Sequence, residues 1–227
     1  MSSLKQKKAI QAINRDGVIL VFPIDTKKDP HSLWYELHPK TKMRWEWDDE
    51  GDSKLADLWH LRTQLSTTRE VVYTKWFRNR ATYFSRDLFT ACLCLSLQDL
   101  QILPRESKEI LEALKMDSPL STKQIKEAAS LQGRMLEALF NRSMKKLWDP
   151  FLIVAFGEFE DSSFPSLAIG TTETLFEDLW ENALAMKPKE AQKILDAKMP
   201  EGSDWRKYWD KINSKPEAKS LRSQPKL

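Results

Sequence analysis

The chain has 227 residues, 41% of them hydrophobic and 30% charged, with a net charge of +3. That composition supplies a core for one large domain or two small ones, and ten Phe and nine Trp exclude a chain disordered throughout. No apolar run approaches the roughly 18 residues needed to span a membrane, and the basic start MSSLKQKKAIQ has no apolar stretch behind it, so it does not read as a secretory signal. Cys92 and Cys94 lie too close for an ordinary disulfide and are too few for a zinc site. Set in the apolar run ACLCL, they read as buried thiols of a cytoplasmic protein in a reducing compartment.

In chain order, Leu4 to Asn14 reads as a helix with Ala9, Ile10 and Ile13 on one face, stopped by Asp16-Gly17. VILVF, Val18 to Phe22, is β-branched, apolar and closed by Pro23, the pattern of a buried strand. SLWYELHP follows, and then MRWEW, where Met43, Trp45 and Trp47 alternate with Arg44 and Glu46 at strand period. Asp48 to Ser53 reads as an acidic turn. Leu55, Leu58, Trp59 and Leu65 have helical spacing, VVYTKWF is strand-like, and Ser85 suits the N-cap of a helix running from Arg86 into ACLCL.

The second half has a sharper pattern. Glu106 to Met116 forms a helix with Ile110, Leu111 and Leu114 inward. Ser121 caps Thr122 to Ala129, a tight link from Ser130 to Arg134 contains Gly133, and a longer helix from Met135 to Leu147 turns Leu136, Leu139, Phe140 and Leu147 inward until Asp149-Pro150 stops it. FLIVAFGEFE and SLAIGTTE read as strands about the turn EDSSFPS. Helix, helix, turn, helix, hairpin is the order of a winged helix-turn-helix. Helices at Leu175 to Ala185 and Pro188 to Lys198 follow. The expected fold is α+β and mostly helical: a mixed α/β, Trp-rich region over 1–104, a winged helix-turn-helix over 105–174, C-terminal helices over 175–213, and a basic, disordered tail over 214–227.

Charge is distributed unevenly. Lys123, Lys126, Arg134, Arg142, Lys145 and Lys146 outnumber Glu127 and Glu137 between Ser121 and Leu147, whereas every charged residue from Gly157 to Met186 is an acid. If the third helix of the unit lies in a major groove, the face opposite its apolar residues presents Arg134, Asn141, Arg142 and Lys145, with Gln132 in the turn before it. These side chains suit base edges and phosphates. The plainer reading is a solvated helix face on a protein-docking module, and the acidic wing residues Glu158, Glu160 and Asp161 would repel phosphate. In the first half, KWFRNRATYFS offers a second nucleic-acid candidate: Lys75, Arg78 and Arg80 beside Trp76, with Trp34, Trp45, Trp47 and Arg44 as further members of an aromatic and basic surface for an unstacked base. His31, His38 and His60 have no metal-ligand spacing, the six glycines form no phosphate loop, and no GxSxG elbow occurs. No metal or cofactor is expected.

PLSTKQIKEAASLQGRMLEALFNRSMKKLWDPFLIVAFGE, with this order of elements, resembles a winged-helix family that includes AlkZ-like bacterial DNA glycosylases acting on alkylated or cross-linked bases. The resemblance implies stacked winged-helix modules and a short strand motif of Gln, an apolar residue, then Asp or Gln. The matching place is Pro23, Ile24 and Asp25, where proline has no side-chain amide to hold a water or a base. Asp25 is thus the one candidate catalytic residue. The expected function is binding of duplex DNA, regulatory or repair-associated and without clear catalysis. A glycosylase-like enzyme using Asp25 and a protein-interaction scaffold are the alternatives. The sequence does not set the oligomeric state.

Overall fold

The computed structural model describes residues 3–44, 52–159 and 165–214. The elements in chain order are α1 (Leu4–Asp16), β1 (Val18–Leu20), α2 (Leu33–Leu37), α3 (Asp52–Ser66), β2 (Val71–Thr74), β3 (Thr82–Ser85), α4 (Arg86–Gln98), α5 (Arg105–Met116), β4 (Leu120–Ser121), α6 (Thr122–Ala128), α7 (Glu137–Trp148), β5 (Ile153–Phe159), β6 (Ser166–Thr171), α8 (Thr172–Leu175), α9 (Glu177–Ala185), α10 (Pro188–Lys198) and α11 (Asp204–Asn213). Short 3₁₀ turns stand at Phe77–Asn79 and Arg134–Leu136. The chain is α+β with helix in the majority. The expected alternation at Trp45 and Trp47, residues 48–51 of the expected acidic turn, the turn residues 160–164 and the tail beyond Ser214 lie outside the described residues, and residues 52 and 53 of that acidic turn instead begin α3. Among the described residues no helix is long and apolar enough to cross a membrane.

The strands form one antiparallel sheet in the order β1-β3-β2-β5-β6-β4. Successive strand residues point to opposite faces, so a strand covered on both sides is apolar at every position. On one face Ile19, Val71, Tyr73, Tyr83, Ile153 and Ala155 meet Ile13 of α1, Leu58 and Leu65 of α3, Ile110 of α5, Ile125 of α6 and Phe140 of α7. On the other, Val18, Leu20, Val72, Phe84 and Val154 meet Phe89 and Leu93 of α4, Leu179 of α9, Leu195 of α10 and Trp209 of α11. Trp76 anchors this second core, with ring centroids 5.0 Å from Tyr208, 5.3 Å from Phe84 and 5.6 Å from Phe151. Cys92 and Cys94 are free and buried, and burial pushes the Cys92 thiol well above its ordinary pKa.

Several boundaries differ from expectation for physical reasons. The first strand ends at Leu20, because Val21 and Phe22 begin a bend instead of extending β1. ATYFS holds β3, buried on both faces and therefore without the alternation that marks a half-exposed strand. Ser85 precedes α4 as expected but makes no side-chain cap, and its hydroxyl is buried without a partner. The second expected hairpin strand ends at Thr171, where α8 takes over Thr172 to Leu175, and the helix expected over 175–185 starts at Glu177 after Phe176.

Gly17 joins α1 to β1 with φ 83°, and its N–H closes the last helical turn on Ile13 at 2.7 Å. A Cβ there would stand 2.8 Å from Lys198 Cβ and 2.9 Å from Leu88 Cδ2. Gly17→Ala combines a left-handed backbone with this contact and is expected to cost about 1–3 kcal/mol, read as a lower urea midpoint at unchanged slope.

Candidate nucleic-acid interface

The α6–α7 corner is built locally. Ser121 accepts from the Gln124 N–H at 3.3 Å while its own N–H donates to Gln124 Oε1 at 2.8 Å, a reciprocal cap that fixes the start of α6. At the other end Ser130 adopts φ 54°, and the Leu131 N–H reaches the Lys126 carbonyl at 2.8 Å, with Leu131 buried to seal the turn. Gly133 at φ 92° then redirects the chain into the 3₁₀ turn that leads α7. This helix buries Phe140, Ser143, Met144, Leu147 and Trp148. Its opposite side is therefore fixed toward solvent.

On that side Gln132, Arg134, Asn141, Arg142 and Lys146 are exposed. Arg134, Arg142 and Lys146 make no ion pair among the described residues. Glu137, the acid of this face, accepts from Lys126 at 2.6 Å, and Lys126 also lies 4.9 Å over the Phe140 ring. The hydrogen bond from Lys126 holds the Glu137 carboxyl below its ordinary value. Asn141 Nδ2 donates loosely to Glu137 at 3.5 Å. Lys145 is engaged elsewhere: it hydrogen-bonds Asp149, lies 3.3 Å from the Tyr208 hydroxyl and sits 5.6 Å over the Tyr208 ring. Burial pushes the Asp149 carboxyl up despite these partners. Lys145 therefore ties the end of α7 to α11, and Lys146, absent from the sequence-derived set, is an unpaired cation on the same turn.

The first-half candidates separate. Arg78 and Arg80 are exposed in the loop after β2, with the Arg78 guanidinium 5.0 Å over Phe77. Lys75 is half-buried. Trp34 and Trp76 are buried, 2% and 1% exposed, so neither belongs to a surface for an unstacked base. Asp25 lies exposed in a turn with φ 49°, and the adjacent Thr26 carbonyl accepts from the Tyr35 hydroxyl at 2.5 Å.

Glu158 is not a solvated wing acid. A bulge in β5 between Ala155 and Glu158, with Gly157 at φ 84°, turns its carboxylate onto α3. There it pairs with Arg62 and accepts from Thr63 Oγ1 at 3.0 Å, with the Arg62 and Glu158 side chains 9% and 8% exposed. Tyr83 donates to the Arg62 carbonyl at 2.5 Å, Tyr73 and Tyr83 stack at 4.9 Å, and the Trp59 ring covers the Arg62 guanidinium at 4.0 Å. Arg62 Nε is buried without a partner. No sequence signal joins residues 96 positions apart.

A second charged cluster lines a cleft between the α1–β1 corner and the α10–α11 link. His31 Nδ1 lies 2.7 Å from Asp16 and its Nε2 lies 3.8 Å from Glu36, while Arg15 pairs with both carboxylates. Among the described residues no group of three His, Cys, Asp or Glu is arranged to hold a metal.

Removing one partner of a buried ion pair strands the other. Arg62→Ala or Glu158→Ala alone is expected to cost about 3–5 kcal/mol, and the double variant Arg62→Met/Glu158→Leu less than either, by urea denaturation. For Asp16, burial works to raise the carboxyl pKa, but hydrogen bonds from Arg15 and His31 overcome it and hold the group below its ordinary value. Its stabilisation is therefore present above the unfolded pKa of about 3.9 and is lost as pH falls through the lower folded value. Asp16→Asn is expected to flatten the acid limb of stability against pH.

A search of curated proteins and a search of solved structures each found no match. A family model described as AlkZ related matches residues 4–207, and the chain belongs to that family.

Proposed function

We propose that this AlkZ-related protein is a repair-linked binder of duplex DNA, and that residues 105–174 act as a winged helix-turn-helix with α7 as the reading helix. Support for the unit comes from its element order, α5, β4, α6, α7, β5, β6, and from strand pairing in which β6 lies between β4 and β5. The observation that carries the reading is the outward face of α7. Its acid Glu137 is neutralised by Lys126, and its cations Arg134, Arg142 and Lys146 have no ion pair among the described residues. Unpaired arginines beside an exposed amide can take phosphates and base edges without first breaking an internal bond. The positive end of the helix adds to the attraction for phosphate. Removing Glu158 from the wing also removes one source of repulsion.

A docking role has one observation of its own. A groove of about 710 Å³ between α5 and α6 is lined by Ala113, Leu120, Ala128 and Met116, the last 89% exposed, and its rim carries Glu109, Glu112, Asp117 and Glu127 against the single cation Lys108. An acidic rim does not suit DNA, so this surface and the α7 face would serve different partners.

Arg134→Ala/Arg142→Ala is expected to weaken binding to duplex DNA several-fold or more and to reduce the slope of log affinity against log salt by about 2, with the melting temperature unchanged. Lys145→Ala should instead lower stability by about 1 kcal/mol, the lysine being half exposed and the Asp149 carboxylate keeping the Tyr208 hydroxyl. Wild-type affinity in the double variant would transfer the reading to the docking alternative.

A further inference from the structure

The groove between α5 and α6 has a periodic wall. Lys108, Glu112 and Met116 form one row along α5, and Glu109, Ala113 and Asp117 form the next, each at the spacing that puts helix residues on one face. Gln124, Glu127 and Ala128 of α6 line the groove with them. From Lys108 to Asp117 it follows α5 for about 14 Å. Its apolar lining joins the small side chains Ala113 and Ala128 to buried Leu120 and to Met116, which stands in solvent and adapts to whatever apolar group meets it. The acids are of two kinds. Glu109 pairs with Arg105 at 2.8 Å and Glu112 with Lys115 at 4.0 Å, both partners on α5 itself. Asp117 and Glu127 have no ion pair among the described residues. Asp117 is the C-cap of α5, and Glu127 lies in the last turn of α6. The carbonyl end of a helix favours a cation and repels an acid. The basic residues of these two last turns are drawn elsewhere, Lys126 to Glu137 on α7 and Lys115 toward Glu173 at 3.9 Å as well as Glu112. Two helix ends and two unpaired acids therefore border one groove, an arrangement that costs the free chain stability and becomes favourable when positive charge arrives from outside.

We propose that the α5–α6 groove receives a basic amphipathic helix of a partner protein. The proposal rests on the docking observation above and is independent of the reading of DNA by α7. An amphipathic helix lays apolar residues at i, i+3 or i+4, and i+7 into such a groove. Here those residues meet Ala113, Leu120, Ala128 and Met116. Lys or Arg on the flanks of the incoming helix supplies the charge that Asp117 and Glu127 lack, and about three turns of it match the length of the groove. Nucleic acid is excluded by the same acids. None of the lining belongs to the outward face of α7, so partner and duplex engage different surfaces of one molecule.

The test titrates full-length protein against a fluorescent peptide of about five helical turns, with Leu at helical spacing and Lys or Ala elsewhere, followed by anisotropy at low and high salt. Two controls accompany it, one of the same composition with the leucines scattered around the helix and one with Glu in place of Lys. The amphipathic Lys peptide is expected to bind saturably and more weakly as salt rises, and the controls to bind far less. Asp117→Asn/Glu127→Gln should weaken it by about five-fold and flatten the salt dependence, while raising the melting temperature of the free protein, because the repulsion between acid and helix end is gone. Met116→Ser should weaken the peptide without changing its salt slope. Equal affinity in the charge variant, equal binding of the scattered peptide, or a melting temperature that falls in the charge variant overturns the proposal. Concentration-dependent self-association that Met116→Ser abolishes places a second copy of the chain in the groove and overturns it too. Arg134→Ala/Arg142→Ala is expected to keep the peptide affinity whether or not it loses duplex DNA, which separates failure of the DNA reading from failure of this one.

Discussion

Tyr73 and Ala155 face each other where β2 meets β5, and at this seam the two halves of the chain become one sheet. Three strands come from residues 18–85 and three from residues 120–171. The backbone pairing between these sets is short, so side chains reinforce it. Immediately past Ala155 the β5 bulge sends Glu158 to Arg62 on α3, and the same helix packs on β2 and β5 beneath the stacked pair Tyr73 and Tyr83. A buried ion pair adds little net stability over an apolar replacement, but it penalises any register that leaves either charge alone. On this account the Arg62–Glu158 pair specifies how the α5–β6 unit sits against the first half more than it strengthens the fold.

That specification decides which charges face outward. Acids that a linear reading leaves in solvent are consumed internally: Glu158 by Arg62, Glu137 by Lys126, and Asp149 by Lys145 and Tyr208. The chain's small net charge thus conceals a local surplus on α7, where Arg134, Arg142 and Lys146 remain unpaired among the described residues. Electrostatic recognition depends on this local arrangement rather than on the total.

The elements legible in the sequence were those with one wet face. α5 and α7 have strong helical periodicity, Ser121 and Gly133 mark the ends of their segments through capping and positive φ, and β5 and β6 flank a turn rich in polar residues. What escaped notice has two faces covered or long-range partners. β3 is buried at all four positions and looks like an aromatic loop. α11, with Trp205, Tyr208 and Trp209 spaced for one helical face, shows its helical character by periodicity, but its partners Trp76 and Phe77 come from across the chain and no local pattern points to them. On the candidate face, Asn141 and Arg142 follow from helical phase alone, since the buried residues of α7 fix the exposed ones, whereas Gln132 and Arg134 precede that helix. Lys145 and Glu158 could not be placed that way. Their partners, Tyr208 and Arg62, lie 63 and 96 residues away, and only the fold brings them together.

The central claim is that duplex DNA is read by the outward face of α7. Hydrogen exchange of the backbone amides, measured with and without a duplex at low salt and again at high salt, tests it most directly. The account predicts slowed exchange over residues 130–146 that fades as salt is raised, with α5 and the α5–α6 groove unchanged. Slowed exchange confined to that groove, or binding of DNA with residues 130–146 unprotected, would contradict it.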